Sequence, residues 1–412
     1  MKIFLKYGLQ LYFLLSIIPF LYIYDTLPRP AIIVVVLQFF IALNFVKRLR
    51  ITRSDIRFIG IIGTILILIL ITSIFSINTS EALINLTTYA FSIISLLIIL
   101  LGSREHFENQ FISVMQLFTW IGLIFSIVSI GLTLVGTLVN VGGQSFQQIG
   151  LGPIVLRQVA FYKGGRFIGA AFTNNPNTLG VFLMFTLGCT ILSYFNQKRF
   201  LYMFAFFIQF YALYESDSRT AILGMLFFII FFALGYFKGA IKIFLEIILL
   251  FVFLLVAIVI WANFNLIDWD AVTTNRTWAW TFASQLLKSH MGIGVGFGVA
   301  HNLVAENLGI GVHNVFLSLA LQCGIPIAGT IVILWAWAIF SSFKLTGQTN
   351  KKLIYVYSFA FLLSLLLHQL FEEHVFRFNL ISFFWIYIMY IIFTKVSKEA
   401  ENDKLQNPDY LV

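Results

Sequence analysis

"HNVFLSLALQCGIPIAGTIVILWAWAIF", residues 313–340, decides the fold. Beyond the leading His-Asn pair it holds no Asp, Glu, Lys or Arg, and about 20 mostly apolar residues suffice for a helix to cross a bilayer. Runs of the same kind lie near 7–24, 31–46, 58–75, 83–101, 111–139, 177–195, 200–214, 220–236, 241–262, 353–371 and 376–394. With 313–340 they predict about twelve membrane-spanning helices. Composition agrees: of 412 residues, 60% are hydrophobic and 10% charged, which a soluble core cannot use. The fold class is therefore all-α integral membrane. No strand-period pattern and no internal repeat stand out. The opening "MKIFLKYGLQLYFLLSIIPFLYIY" has the charged start and apolar run of a secretory signal. It lacks a small-residue cleavage site and leads into further spans, so it reads as the first helix. Cys189 and Cys323 lie inside apolar runs, where neither a disulfide framework nor a zinc site is expected.

Basic residues orient the bundle. They concentrate in alternate loops: "KRLRITRSDIR" (47–57), "QKR" (197–199), "FKGAIK" (237–242), Lys344 with Lys351 and Lys352, and the C-terminal tail. The positive-inside rule then places both termini in the cytoplasm. The net charge of +9 is an orientation signal, and no nucleic-acid partner is expected. Residues 1–395 read as a single polytopic membrane domain and 396–412 as a polar cytoplasmic tail without order. Two long loops, 140–176 and 263–312, fall outside. Their Trp, Phe and dispersed Gly mark them as ordered and functional.

Four basic groups gather on that outer face. They are Arg166 in "GGRFIGAAFTNNPNTLG" (164–180), Arg219 in "ESDSRTAILG" (215–224), Arg276 in "TTNRTWAW" (273–280), and His313. The helices 177–195, 220–236 and 313–340 all run inward, so each turns its N–H-rich, positive end outward. Three such ends with three guanidinium forks suit an anion, a diphosphate in particular. Taken singly, each group has a plainer reading. Arg166 is then a solvated loop residue, Arg219 a snorkelling anchor, and Arg276 beside Trp278 and Trp280 part of an interfacial helix. His313 and Asn314 become caps, and Asn175-Pro176-Asn177 turn chemistry. Only their common location argues for a site.

"GIGVGFG" (292–298) has glycines at dinucleotide-fingerprint spacing, but not the strand, helix and cytosolic setting that motif needs. A backbone that bends sharply or approaches something closely is the better account. Two acidic pairs remain, Glu215 with Asp217 and Glu372 with Glu373. The second, in "EEHVFR" (372–377), either lines the same cavity or neutralises itself. No span carries the carboxylate relay of a proton-driven pump, and the polar features sit in outer loops rather than on broken helices at the midplane. Both points weigh against a transporter or flippase.

The ordered blocks "RFIGAAFTNNPNTLG", "SRTAILG", "NRTWAW", "GIGVGFG" and "HNVFLSLALQCGIPIAG" resemble the O-antigen ligase and polymerase family of membrane glycosyltransferases. The resemblance implies a GT-C-like helical bundle in the bacterial cytoplasmic membrane. It implies transfer of a glycan from an undecaprenyl-diphosphate lipid to an acceptor hydroxyl outside the cytoplasm, with inversion and without metal or cofactor. By motif position the diphosphate-binding roles fall on Arg166, Arg219 and Arg276, and the place beside the attacking hydroxyl falls on His313. Asn175, Asn177, Asn314 and Trp280 are the expected substrate-binding residues. A flippase and a chain-length regulator are the expected protein partners. Gln322-Cys323 departs from the family pattern, which often has an acidic residue before the glycine. Polymerisation of lipid-linked repeats is favoured over ligation to an anionic lipid core, because outer basic and acidic residues nearly cancel. Phe161, Tyr162, Trp278, Trp280, Gln144 and Asn302 supply rings and amides suited to sugars.

Overall fold

The computed structural model describes residues 2–21, 30–103, 107–141, 144–151, 154–163, 166–262, 268, 273, 276–348 and 352–406. Of the described residues, 77% are helical. Among the described residues, seven helices are long and apolar enough to cross a membrane, and Pro30–Leu43, Phe200–Glu215 and Leu353–His368 are shorter apolar ones. In chain order the first helices are α1 (Lys2–Leu15), α2 (Pro30–Leu43), α3 (Arg53–Ile74), α4 (Thr79–Gly102) and α5 (Phe107–Val135). After an intervening sheet come α6 (Pro176–Gln197), α7 (Phe200–Glu215), α8 (Arg219–Tyr236) and α9 (Ala240–Ala262). The rest are α10 (Arg276–Ser289), α11 (Val299–Leu308), α12 (Val315–Cys323), α13 (Ile325–Gln348), α14 (Lys352–His368) and α15 (Leu380–Gln406).

A helix lies on each expected run, but 313–340 is two helices rather than one. It breaks at Gly324, whose φ of +82° no helix accommodates. Pro326 then falls in the first turn of α13, where its missing N–H is harmless.

The chain divides into two compact units. The first comprises Met1–Arg50, Phe91–Phe228 and Phe378–Phe384, and the second Ile51–Ala90, Ile229–Arg377 and Trp385–Val412.

In the first unit, polar side chains pin otherwise featureless apolar helices. Gln38 Nε2 donates to Ser16 Oγ at 3.0 Å, and Gln38 Oε1 accepts from Ser92 Oγ at 2.6 Å. A buried amide without such partners would cost several kcal/mol, so the pairing fixes how α1, α2 and α4 meet.

The all-α expectation needs one correction. Residues 137–169 form an antiparallel meander, β1 (Thr137–Val141), β2 (Gln144–Leu151), β3 (Ile154–Lys163) and β4 (Arg166–Gly169), ordered β1-β2-β3-β4. The register pairs Val141 with Gln144, Leu151 with Ile154, and Lys163 with Arg166. Two residues separate each strand from the next, and in the sequence these are Gly142-Gly143, Gly152-Pro153 and Gly164-Gly165. Gln158, 1% exposed, holds the sheet to its surroundings. It donates to Thr133 Oγ1 at 3.0 Å and to Gln147 Oε1 at 2.8 Å, and accepts from Ala171 N at 2.9 Å.

The second unit holds the other expected loop, 263–312. Much of it is helical, as α10 and α11, while 263–267, 269–272, 274 and 275 lie outside the described residues. Small side chains let these short helices pack: Ala279, Ala283, Val295, Val304, Val312 and Leu321 form one buried cluster. The tail expected to lack order continues α15 as helix to Gln406, while 407–412 lie outside the described residues. Its Ala, Glu, Lys and Leu are helix formers, and Lys395 pairs with Glu399 one turn on at 3.2 Å.

Candidate active site

The glycine loop builds the platform. Gly294 (φ +77°) and Gly296 (φ +117°) lie in the region that L-residues avoid. A Cβ at Gly294 would come within 2.6 Å of the Gln322 carbonyl, and one at Gly296 would overlap Ser76. That close approach lets Val295 N donate to Leu321 O at 2.7 Å and Gly296 N to Gln322 O at 3.1 Å. The sharp bend and close contact expected of "GIGVGFG" are thus present. Gln322 itself accepts from Gly298 N at 2.9 Å and donates to Ser318 Oγ at 2.8 Å. An uncharged amide at this departure from the family pattern therefore anchors the loop.

His313 precedes α12 with φ +48°, a conformation uncommon for a residue with a Cβ. Three neighbours hold that bend. Asn314 caps α12, its Oδ1 accepting from Leu317 N at 3.0 Å, while its Nδ2 donates to Leu370 O at 2.9 Å. Trp280 on α10 donates its indole N–H to Val312 O at 2.9 Å. Val315 N donates to Gln369 O at 3.0 Å. Asn314 and Trp280 thus spend these polar groups on shaping the bend.

The bend brings His313 to the turn between α14 and α15. Its Nδ1 lies 3.0 Å from Glu372 Oε2. Arg276, the first residue of α10, donates from Nη2 to Glu372 Oε1 at 2.7 Å and from Nη1 to the Phe371 carbonyl. Glu372 is 3% exposed. Burial opposes its ionisation, but the hydrogen bond from His313 and the charge of Arg276 outweigh that and hold the carboxyl well below the usual range. An ionised Glu372 accepts from Nδ1–H, which leaves His313 Nε2 as the proton-accepting nitrogen. His313 is 28% exposed, so this nitrogen is within reach of a substrate.

The next residue, Glu373, is served in the same way. His301 Nδ1 and Arg377 Nη2 both donate to its Oε1. The Arg377 charge and the His301 bond again outweigh burial, and its carboxyl falls to about 2. Gln369, fully buried, accepts from His374 N at 2.7 Å and Val375 N at 3.1 Å and so fixes the turn that carries both carboxylates.

Of the expected site residues, the second unit brings together Arg276, His313, Asn314 and Trp280. The others belong to the first unit. Arg166 opens β4. Asn175 caps α6, accepting from Thr178 N at 2.8 Å, and Asn177 stands in that helix's first turn. Arg219 is exposed at the start of α8. The positive helix ends offer less than expected. At α6, Pro176 has no N–H and Asn175 takes that of Thr178; at α12, Asn314 and Gln369 take those of Leu317 and Val315. Arg276 also differs from expectation, since its fork closes on a carboxylate and a carbonyl of the protein itself. Sequence reading left Glu372 and Glu373 between two roles and passed over His301 and Gln369. Two adjacent carboxylates followed at once by His and then Arg were the available signal.

Residues 204–333 match the family described as O-antigen ligase. This segment is thus similar to the O-antigen ligase family. It contains Arg219, Arg276, His301 and His313, whereas Glu372, Glu373 and Arg377 lie beyond the O-antigen ligase match. No curated protein matches the chain.

Proposed function

We propose that the protein polymerises oligosaccharide repeats carried on undecaprenyl diphosphate into a surface polysaccharide, by inverting, metal-independent glycosyl transfer. The observation that supports this most is the buried Arg276–Glu372–His313 chain, which leaves one imidazole nitrogen open over an ionised carboxylate. A sugar hydroxyl is a weak nucleophile near neutral pH. As its oxygen bonds to the anomeric carbon of the donor, His313 Nε2 takes its proton, and the bond from that carbon to the lipid diphosphate breaks. Glu372 stabilises the imidazolium that forms. Arg276 keeps Glu372 ionised and aimed, and so acts as a positioning residue rather than a phosphate ligand. Motif order keeps Arg219 and Arg166 as the arginines for the diphosphate, where fixed guanidinium forks stabilise leaving-group charge.

The reading places the reaction on the extracytoplasmic face of the bacterial cytoplasmic membrane, with both termini inside. Cysteines introduced at 140–176 and 263–312 are expected to react with an impermeant thiol reagent on intact cells, and one at 48–56 only after lysis. Labelling of 263–312 only from the cytoplasm sinks the placement.

The O-antigen ligase match favours a second reading, transfer of finished glycan to another acceptor. Deletion of the gene separates the two. Polymerisation predicts single lipid-linked repeats and no long chains, whereas ligation predicts full-length chains stranded on the lipid carrier.

A further inference from the structure

Glu372 and Glu373 are consecutive, and each holds one arginine and one histidine. The transfer step above uses the first set and leaves the second without a role. The two imidazoles are exposed alike, 28% for His313 and 32% for His301, over carboxylates at 4% and 5%. In both the Nδ1 edge meets the carboxylate, and Nε2 has no hydrogen-bond partner among the described residues. Charge neutralisation alone does not call for His301, because Arg377 already pairs with Glu373.

The chain makes room for this ring. A Cβ on Gly311 would overlap Cε1 and Nδ1 of His301 and approach Glu373 Oε1 to 3.3 Å. Gly311 stands two residues before His313, and two residues span at most about 7 Å. The His301 ring is therefore packed under the same short stretch of backbone that presents His313. It is also rigidly mounted. Asn302 Nδ2 donates to Glu81 Oε1 at 2.6 Å, and the preceding Gly298 N is held by Gln322. A preorganised, half-exposed imidazole beside a proton-accepting one is suited to orienting a polyhydroxylated ligand.

We propose that His301 is a glycan-binding residue of the same site, its Nδ1 fixed by Glu373 and its Nε2 taking a hydroxyl of the sugar presented to His313. The assignment rests on the glycosyl-transfer reading. It divides the labour between two histidines: His313 moves the proton and His301 holds the sugar.

The test uses the full-length protein in lipid nanodiscs with a lipid-diphosphate-linked oligosaccharide repeat as substrate, comparing His301→Ala, His301→Gln and His313→Gln. Removing a hydrogen bond made equally in the ground and transition states raises KM and spares kcat. His301→Ala is expected to raise KM about tenfold with kcat within about twofold, and His301→Gln, which keeps a polar end, to recover part of the loss. An unchanged KM overturns the proposal. So does a fall in kcat at constant KM, or a joint loss in kcat and melting temperature, since either gives the ring another role. His313→Gln is expected to lose kcat by about a hundredfold or more. Full turnover in His313→Gln alongside a KM shift in His301→Ala would sink the base assignment and leave the binding role standing.

Discussion

His313 Nδ1 meets Glu372 Oε2 at 3.0 Å, on the carboxylate oxygen that Arg276 Nη2 does not take. The carboxylate thus fixes the imidazole's tautomer while its own charge is fixed from the other side. Glu372→Gln keeps the shape and removes the charge. The variant is expected to lose kcat about a hundredfold or more, with KM little altered, because the imidazolium formed during proton transfer loses its counter-charge. Steady-state rates on the lipid-linked substrate decide it, and an undiminished kcat would remove Glu372 from the mechanism.

Arg276 reaches both Glu372 and the Phe371 carbonyl, two acceptors that a planar fork serves and a single ammonium does not. Arg276→Lys is therefore expected to behave more like Arg276→Ala than like the parent, with kcat reduced by at least about tenfold. Because the role is positional, the pH–rate profile should move as well, its acidic limb shifting as Glu372 loses its clamp. Lys288→Ala, a charge change on the same helix, is the control. An equal loss there would mean that loop charge alone is being measured.

The glycine loop predicts a stability defect separable from chemistry. Gly296→Ala forces a Cβ against Ser76, whose hydroxyl donates to Val295 O at 2.6 Å, and does so at φ +117°. The expected cost is about 2–4 kcal/mol, from backbone strain together with displacement of a well-packed neighbour. It should appear as a lower melting temperature of the full chain. Gly292→Ala, whose added carbon meets nothing within 4 Å, is expected to be mild.

Helices were legible because lipid leaves the backbone no other partner, so apolar length alone announces them. The break at Gly324 was not, since hydropathy runs unchanged through "QCGIPIAG" and only the glycine's positive φ interrupts the helix. The sheet was missed for the opposite reason. Its buried ties are polar, Gln147 and Gln158, so no clean apolar alternation marks the strands. The regular dipeptides Gly142-Gly143, Gly152-Pro153 and Gly164-Gly165 were the visible trace of it. In the site, Arg276 and His313 stood out as isolated polar residues near apolar runs. Their common partner lies about 60 residues beyond His313 (59 for Glu372), a separation no local pattern encodes.

Acid stability follows from the turn that carries the two carboxylates. Burial pushes His374 down to about 3, against the pull of Glu372, with His368, Arg377 and Glu373 also facing it. Unfolded, a histidine takes its proton near 6.5 and a glutamate near 4.3. Between its folded and unfolded pKa each of these groups binds fewer protons in the native protein, so falling pH favours unfolding there. The contribution of His374 is complete above about pH 6.5 and is lost as pH falls toward 3. Those of Glu372 and Glu373 are complete above about pH 4.5 and are lost below it. The melting temperature is therefore expected to be level from pH 8 to about 7, to decline gently below 6.5, and to fall steeply below 4.5. His374→Gln should lessen the gentle upper decline and leave the steep lower one. A melting temperature that rises on acidification through pH 6.5 would mean that the fold holds this imidazole charged, contrary to its burial.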